Sequence, residues 1–167
     1  MSCKLKSALA FACLVALLGG ARAQDNASCD KFKWSVARER ALFSAGPRAV
    51  ASGATIAGGA AYAVALAPSQ SVAFAMAPER APKPGTFGAT LAVAIDKPGS
   101  YQVTLSDEAW LDVVQAGAEV KSSAFSGQKD CPGVRKSVRF DLAAGPATLQ
   151  ISNAAGAALN VALEPAP

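Results

Sequence analysis

Beyond residue 61, apolar side chains recur at every second position between short Gly/Pro interruptions, the signature of strands with one buried face. Tyr62, Val64 and Leu66 alternate with alanines. Val72, Phe74 and Met76 do the same after Pro68-Ser69-Gln70, so the two runs predict a hairpin. Leu91, Val93 and Ile95 predict the next strand. Pro98-Gly99 predicts a turn, and Tyr101, Val103 and Leu105 a strand whose other face carries Gln102, Thr104 and Ser106. Trp110 to Val114 continues as a strand up to a turn at Gly117-Ala118. Val134, Val138, Phe140 and Leu142 alternate with Arg135, Ser137, Arg139 and Asp141, which predicts a wet face for that strand. Leu149 and Ile151, then Leu159, Val161 and Leu163, complete the set.

Seven or more short strands with no long amphipathic helix predict an all-β fold, an antiparallel two-sheet β-sandwich of jelly-roll or Ig-like type. One short N-terminal helix is a candidate over Ser35–Ser44, where Val36, Arg40 and Phe43 stand at helical intervals, although the same residues also fit an extended segment beginning Phe32-Lys33-Trp34. The Ala/Gly-rich residues 49–61 carry little structural information. Residues 77–88, with three prolines, read as an exposed loop. Neither a second domain nor an internal repeat is visible.

The N-terminus changes the charge and cysteine picture. Lys4 and Lys6 precede an apolar run from Ala8 to Leu18, followed by Gly19, Gly20 and the small-residue site Ala21-Arg22-Ala23, the order of a secretory signal peptide over residues 1–23. The apolar run is too short to span a bilayer, which takes roughly 20 residues. The expectation is a soluble periplasmic or secreted protein, residues 24–167, forming a single β-sandwich domain without a membrane span. Lys4, Lys6 and Arg22 leave with the signal, so the net charge of +4 falls to +1. A near-neutral domain without a dense Lys/Arg stripe gives no reason to expect nucleic acid as a partner. Of four cysteines, Cys29 and Cys131 remain, and export favours their pairing as one disulfide.

The chain contains no histidine. That removes the commonest general base and the commonest transition-metal ligand. With no thiolate cluster either, no metal site for iron, zinc or copper and no cofactor is expected, and no catalytic residue stands out. Asp107-Glu108 and Asp112 lie near one sheet end, and several carboxylates together suit Ca²⁺. The chain lacks a D-x-D-x-D-G loop, so a solvated turn with one Asp held by an arginine, Arg38 or Arg135, is the favoured arrangement. Trp34, Trp110, Tyr62 and Phe125 are the aromatic platforms on which a glycan or peptide could stack. Packing within the sandwich is the commoner fate of both tryptophans. Lys129, Arg135, Lys136 and Arg139 form a basic group around Cys131, suited to an anionic partner or to a wet strand face. The candidate binding residues are therefore Trp110, Asp112, Phe125, Arg135 and Lys136.

Several segments resemble one family: residues 34–43 (WSVARERALF), Tyr101-Gln102-Val103-Thr104-Leu105, residues 109–114 (AWLDVV), and Ser123-Ala124-Phe125 through Asp130-Cys131 to Arg135-Lys136-Ser137-Val138. They are similar to a family of small uncharacterised periplasmic proteins of Gram-negative bacteria, some of which carry a homogentisate dioxygenase label. The C-terminal half more loosely resembles pre-peptidase C-terminal type β-sandwich domains, which are non-catalytic accessories. This resemblance implies a binding or stabilising role. The dioxygenase label implies iron held by histidines and a carboxylate, and no histidine exists here to inherit that role.

Together these readings give an exported, non-enzymatic binding or accessory protein of the bacterial cell envelope, its partner an envelope protein, peptide or glycan. The alternative is a small hydrolase using paired carboxylates. An exposed aromatic beside a concave sheet favours the first, and two carboxylates converging in a deep pocket favour the second.

Overall fold

The computed structural model describes residues 27–167; the signal peptide predicted over residues 1–23 lies outside the described residues. Helix α1 (Ala37–Ser44) begins where the Ser35 hydroxyl accepts the Ala37 amide, and it ends at Gly46, whose φ of +93° a side chain resists, followed by Pro47. Twelve strands follow: β1 (Arg48–Ala51), β2 (Thr55–Ile56), β3 (Ala61–Ala65), β4 (Ala67–Pro68), β5 (Phe87–Ile95), β6 (Gly99–Leu105), β7 (Trp110–Gln115), β8 (Ala118–Val120), β9 (Ser122–Gly127), β10 (Lys136–Leu142), β11 (Gly145–Ala154) and β12 (Ala158–Pro165). No helix among the described residues is long and apolar enough to cross a membrane.

The strands form two packed sheets, a two-sheet sandwich as the alternation predicts. The first has the order β1-β3-β12-β6-β10-β9; the second has the order β2-β5-β11-β7-β8, with β4 also on β5. Most pairs are antiparallel, but β1 runs parallel to β3 and β2 parallel to β5, so both sheets are mixed. The parallel pairs come from the Ala/Gly-rich segment that carried no strand signal. There the chain lays four residues on the edge of one sheet and turns through Gly53, whose amide donates to Thr90 O at 2.7 Å. It then adds two residues to the edge of the other.

The core lies between the sheets. Leu91, Val93 and Ile95 of β5, Leu111 and Val113 of β7, and Leu149 and Ile151 of β11 meet Val103 and Leu105 of β6, Val138, Phe140 and Leu142 of β10, and Leu159, Val161 and Leu163 of β12. All of these except Leu111 and Val113 came from the period-two pattern.

Each sheet's outer face is also covered, and by a polar fastening. An N-terminal arm, residues 27–45, lies on the first sheet. Its Lys33 amide donates to Ser126 Oγ at 3.0 Å and Trp34 Nε1 to Ser137 Oγ at 3.1 Å, while the Glu39 carboxylate accepts from Gln102 Nε2. Cys29 and Cys131 are joined, and with Phe32, Val36 and Val134 they make a second, smaller core beneath the arm. A strap over residues 69–86 covers the second sheet. The Gln150 amide brackets Met76, accepting from its N–H at 3.0 Å and donating to its carbonyl at 3.2 Å, and Asn153 Oδ1 accepts the Lys83 amide at 2.9 Å.

Three sequence expectations fail here for the same reason. Val72, Phe74 and Met76 do not form the second strand of a hairpin, because a 3-10 turn over Ser69–Ser71 carries the chain across the sheet face and into the strap. Phe74 then packs on Gly88, where a Cβ would stand 2.5 Å from Ile151 O and 3.3 Å from the Phe74 ring. The face of β10 expected to be wet is covered by the arm over part of its length, leaving Ser137 without exposed surface and Arg139 half-buried over the Trp34 ring at 4.2 Å, while Asp141 at its end stays exposed. Neither tryptophan joins the inter-sheet core; Trp34 and Trp110 sit half-buried at its outer surfaces. Period-two alternation identifies two faces but does not say whether the second meets water or another part of the chain.

Candidate functional site

The second sheet ends at the three-residue β8, whereas the first continues through β9. Phe125 of β9 stands opposite Val138 of β10, on the inter-sheet side, with no strand of the other sheet beyond β8 to cover it. It is consequently 51% exposed. The uncovered edge opens into a groove of about 490 Å³. Leu111, Val120, Val138 and Phe140 line its apolar part, while Trp110, Asp112, Phe125, Lys136, Glu79, Arg80, Glu108 and Glu119 supply its aromatic and charged groups.

Four of the five candidate binding residues, Trp110, Asp112, Phe125 and Lys136, therefore line one groove. Arg135 does not line it; it forms an ion pair with Glu108, which does. The basic group predicted around Cys131 is dispersed, with Arg139 under the arm and Lys136 turned inward. Lys136 shares its side of β10 with Val138 and Phe140. Its ammonium donates to Ala109 O at 2.7 Å and lies 5.4 Å from the Trp110 ring and 5.5 Å from the Phe125 ring. Burial lowers the pKa of this amine, Glu108 opposes the shift, and Arg135 and Arg80 add to it.

Asp112 is only 4% exposed, and no arginine holds it. Arg38 binds Glu164 and Arg135 binds Glu108; Asp112 instead accepts from Trp110 Nε1 at 2.8 Å and from the Glu79 amide of the strap at 3.3 Å. Asp112 thus fixes the strap through hydrogen bonds, where an arginine partner was expected. Burial raises its pKa, the two hydrogen bonds oppose that rise, and the charges of Glu119 and Glu79 reinforce it. The carboxylates predicted to gather with it are elsewhere engaged, Asp107 accepting from Ser106 Oγ at 2.6 Å. Its actual neighbours are Glu79 and Glu119, all three offering oxygens within 4.8 Å of one another. They are the residues that could hold a hard cation, but the Lys121 ammonium already lies 2.8 Å from Glu119 and 3.5 Å from Glu79. Arg80, also from the strap, stacks its guanidinium 3.9 Å over the Trp110 ring.

Glu79, Arg80 and Glu119 were missed in sequence, though one signal for Glu119 was present. The turn at Gly117 implies a β7–β8 hairpin, and its register sets Glu119 opposite Val114, on the same face as Asp112. Nothing in the Pro-rich segment announced that Glu79 and Arg80 return to that face.

No family model matches the chain, and no curated protein is significantly similar to it.

Proposed function

We propose that this protein is an exported, non-enzymatic binding or accessory module of the bacterial cell envelope and that the groove beside β9 is its contact site. The observation that carries this reading is the convergence of Trp110, Asp112, Phe125 and Lys136 from three strands onto one open edge, with a large apolar ring left half in water. Such a surface suits a partner that lays a flat or apolar face on the rings and hydrogen-bonds at the charged rim, as a glycan or an extended peptide does. The disulfide fits an oxidising compartment, the periplasm or the exterior.

Four carboxylates lining one groove, three of them with oxygens within 4.8 Å of one another, are the observation that favours the alternative, a carboxylate hydrolase. The state of each acid argues against it. Both Asp112 oxygens accept hydrogen bonds, Glu79 and Glu119 share the Lys121 ammonium, and Glu108 pairs with Arg135, so each acid is already engaged and none stands apart as a separate nucleophile or base.

The test uses Trp34→Phe, in which Trp110 is the sole tryptophan. Soluble peptidoglycan fragments, lipopolysaccharide and envelope-derived peptides are titrated in turn while Trp110 fluorescence is followed. One class should change the emission saturably, and Phe125→Ala should weaken that response by roughly tenfold or more, as expected for loss of a contact ring. Release of new reducing ends or new amines from the probe would support the hydrolase. A response untouched by Phe125→Ala would remove the groove from the account.

A further inference from the structure

On the opposite face of the first sheet, the arm covers a row of polar side chains. The β-sheet register aligns Glu164 of β12, Gln102 of β6 and Arg139 of β10 side by side. Helix α1 places Glu39 over this row, and both Glu39 and Glu164 are 1% exposed. Glu39 Oε1 accepts from Gln102, but Glu39 Oε2 is buried without a hydrogen-bond partner. Arg38 Nη2 reaches Glu164 Oε2 at 2.7 Å from a largely exposed position. Arg139 does not neutralise the acids: its Nη2 donates to Gln102 Oε1 at 3.3 Å, and its Nε has no acceptor. Arg48 and Asp96 are the remaining charged groups beside Glu164, on the wall of a neighbouring cavity of about 790 Å³.

Two carboxylates thus share a dry site, and one partially solvated guanidinium faces them. Desolvation makes two ionised acids costly there. Glu39 Oε2 and Glu164 Oε1 both lack a hydrogen-bond partner and have essentially no accessible surface, so the ligand small enough to reach them with the arm closed is a proton. We propose that Glu164, buried against Glu39, is a proton-operated clasp for the N-terminal arm, holding a proton when the arm is closed, and that loss of that proton favours lifting of α1 from the sheet.

The sign follows from linkage. Burial raises the Glu164 carboxyl above 4.5, with Arg38 opposing and Glu39 adding to the rise. An acid held more tightly protonated in the closed form favours closure below its ordinary value, and that contribution is lost as pH rises through its closed-state value. The arm remains tethered at Cys29 by the disulfide and at Arg48 by β1, so opening exposes the row of polar side chains without freeing the segment.

Amide hydrogen exchange of the whole disulfide-bonded protein tests this. The Arg40 and Ala45 amides, bonded to Val36 O and Ala41 O, report on α1. After correction for intrinsic exchange rates, their protection should fall by about tenfold as the pH rises from roughly 3.5, below the ordinary carboxylate range, to roughly 8. Glu39→Gln and Glu164→Gln should each flatten the profile, and amides of β11 should show no such dependence in any variant. If one glutamine variant does not fold, the other and Arg38→Met remain decisive, because removing the opposing cation should steepen the profile. A flat wild-type profile, or an unchanged slope in the variants that fold, would overturn the clasp.

Discussion

Replacing both Cys29 and Cys131 with alanine should destabilise the protein by about 3–5 kcal/mol, the range for a bridge closing a loop of this size. The bridge spans a sequence separation of 102 and joins the arm to the segment leading into β10. Without it, the unfolded chain regains most of its loop entropy, and closing the arm must be sustained by local contacts alone. Those contacts are the small apolar cluster of Phe32, Val36 and Val134, the stacking of Arg139 on Trp34, the hydrogen bonds at Lys31, Lys33 and Trp34, the Arg38–Glu164 ion pair and the Glu39–Gln102 bond. Thermal unfolding should therefore begin roughly 10 °C lower, with the Trp34 fluorescence changing before the far-ultraviolet signal of the strands. Coincident transitions at the wild-type midpoint would mean that the arm does not depend on the bridge.

A comparable loss should follow Phe140→Ala, and almost none should follow Phe125→Ala, although both rings line the groove. Phe140 is 2% exposed and packs between the sheets, so truncating it leaves a cavity whose cost is about 3–5 kcal/mol. Phe125 is half in water, and its removal should shift stability within about 0.5 kcal/mol, as at other surface positions. Denaturant unfolding of the two variants measures the difference. Equal losses would place Phe125 in the structural core and deny it the part of a free contact surface.

What the sequence made legible was the side of each strand that faces the core. Leu91, Val93 and Ile95, or Val138, Phe140 and Leu142, announce themselves because one buried face demands alternation. What covers the other faces was not legible. Ser137 and Gln102, on the faces opposite the apolar set, read as polar outer positions, yet each is buried under a segment it hydrogen-bonds, as is Gln150. A polar residue satisfied by water and one satisfied by a distant backbone look the same in a sequence. For the same reason Trp110 and Asp112 could be singled out on β7, whereas Glu79 and Arg80, brought back by the strap, could not. The burial of Glu39 opposite Glu164 depends on strand order, which alternation does not encode.

We propose the exposed edge beside β9 as the surface where this protein meets its partner. Mapping backbone amide shifts of the ¹⁵N-labelled protein against peptidoglycan fragments, lipopolysaccharide and envelope-derived peptides measures this most directly. The prediction is a saturable set of shifts with one probe, confined to residues around Glu79–Arg80, Trp110–Asp112, Glu119–Phe125 and Lys136, and absent in Phe125→Ala. Shifts centred instead on the cavity beside Arg48 and Tyr62, or no saturable shifts with any of the probes, would contradict it.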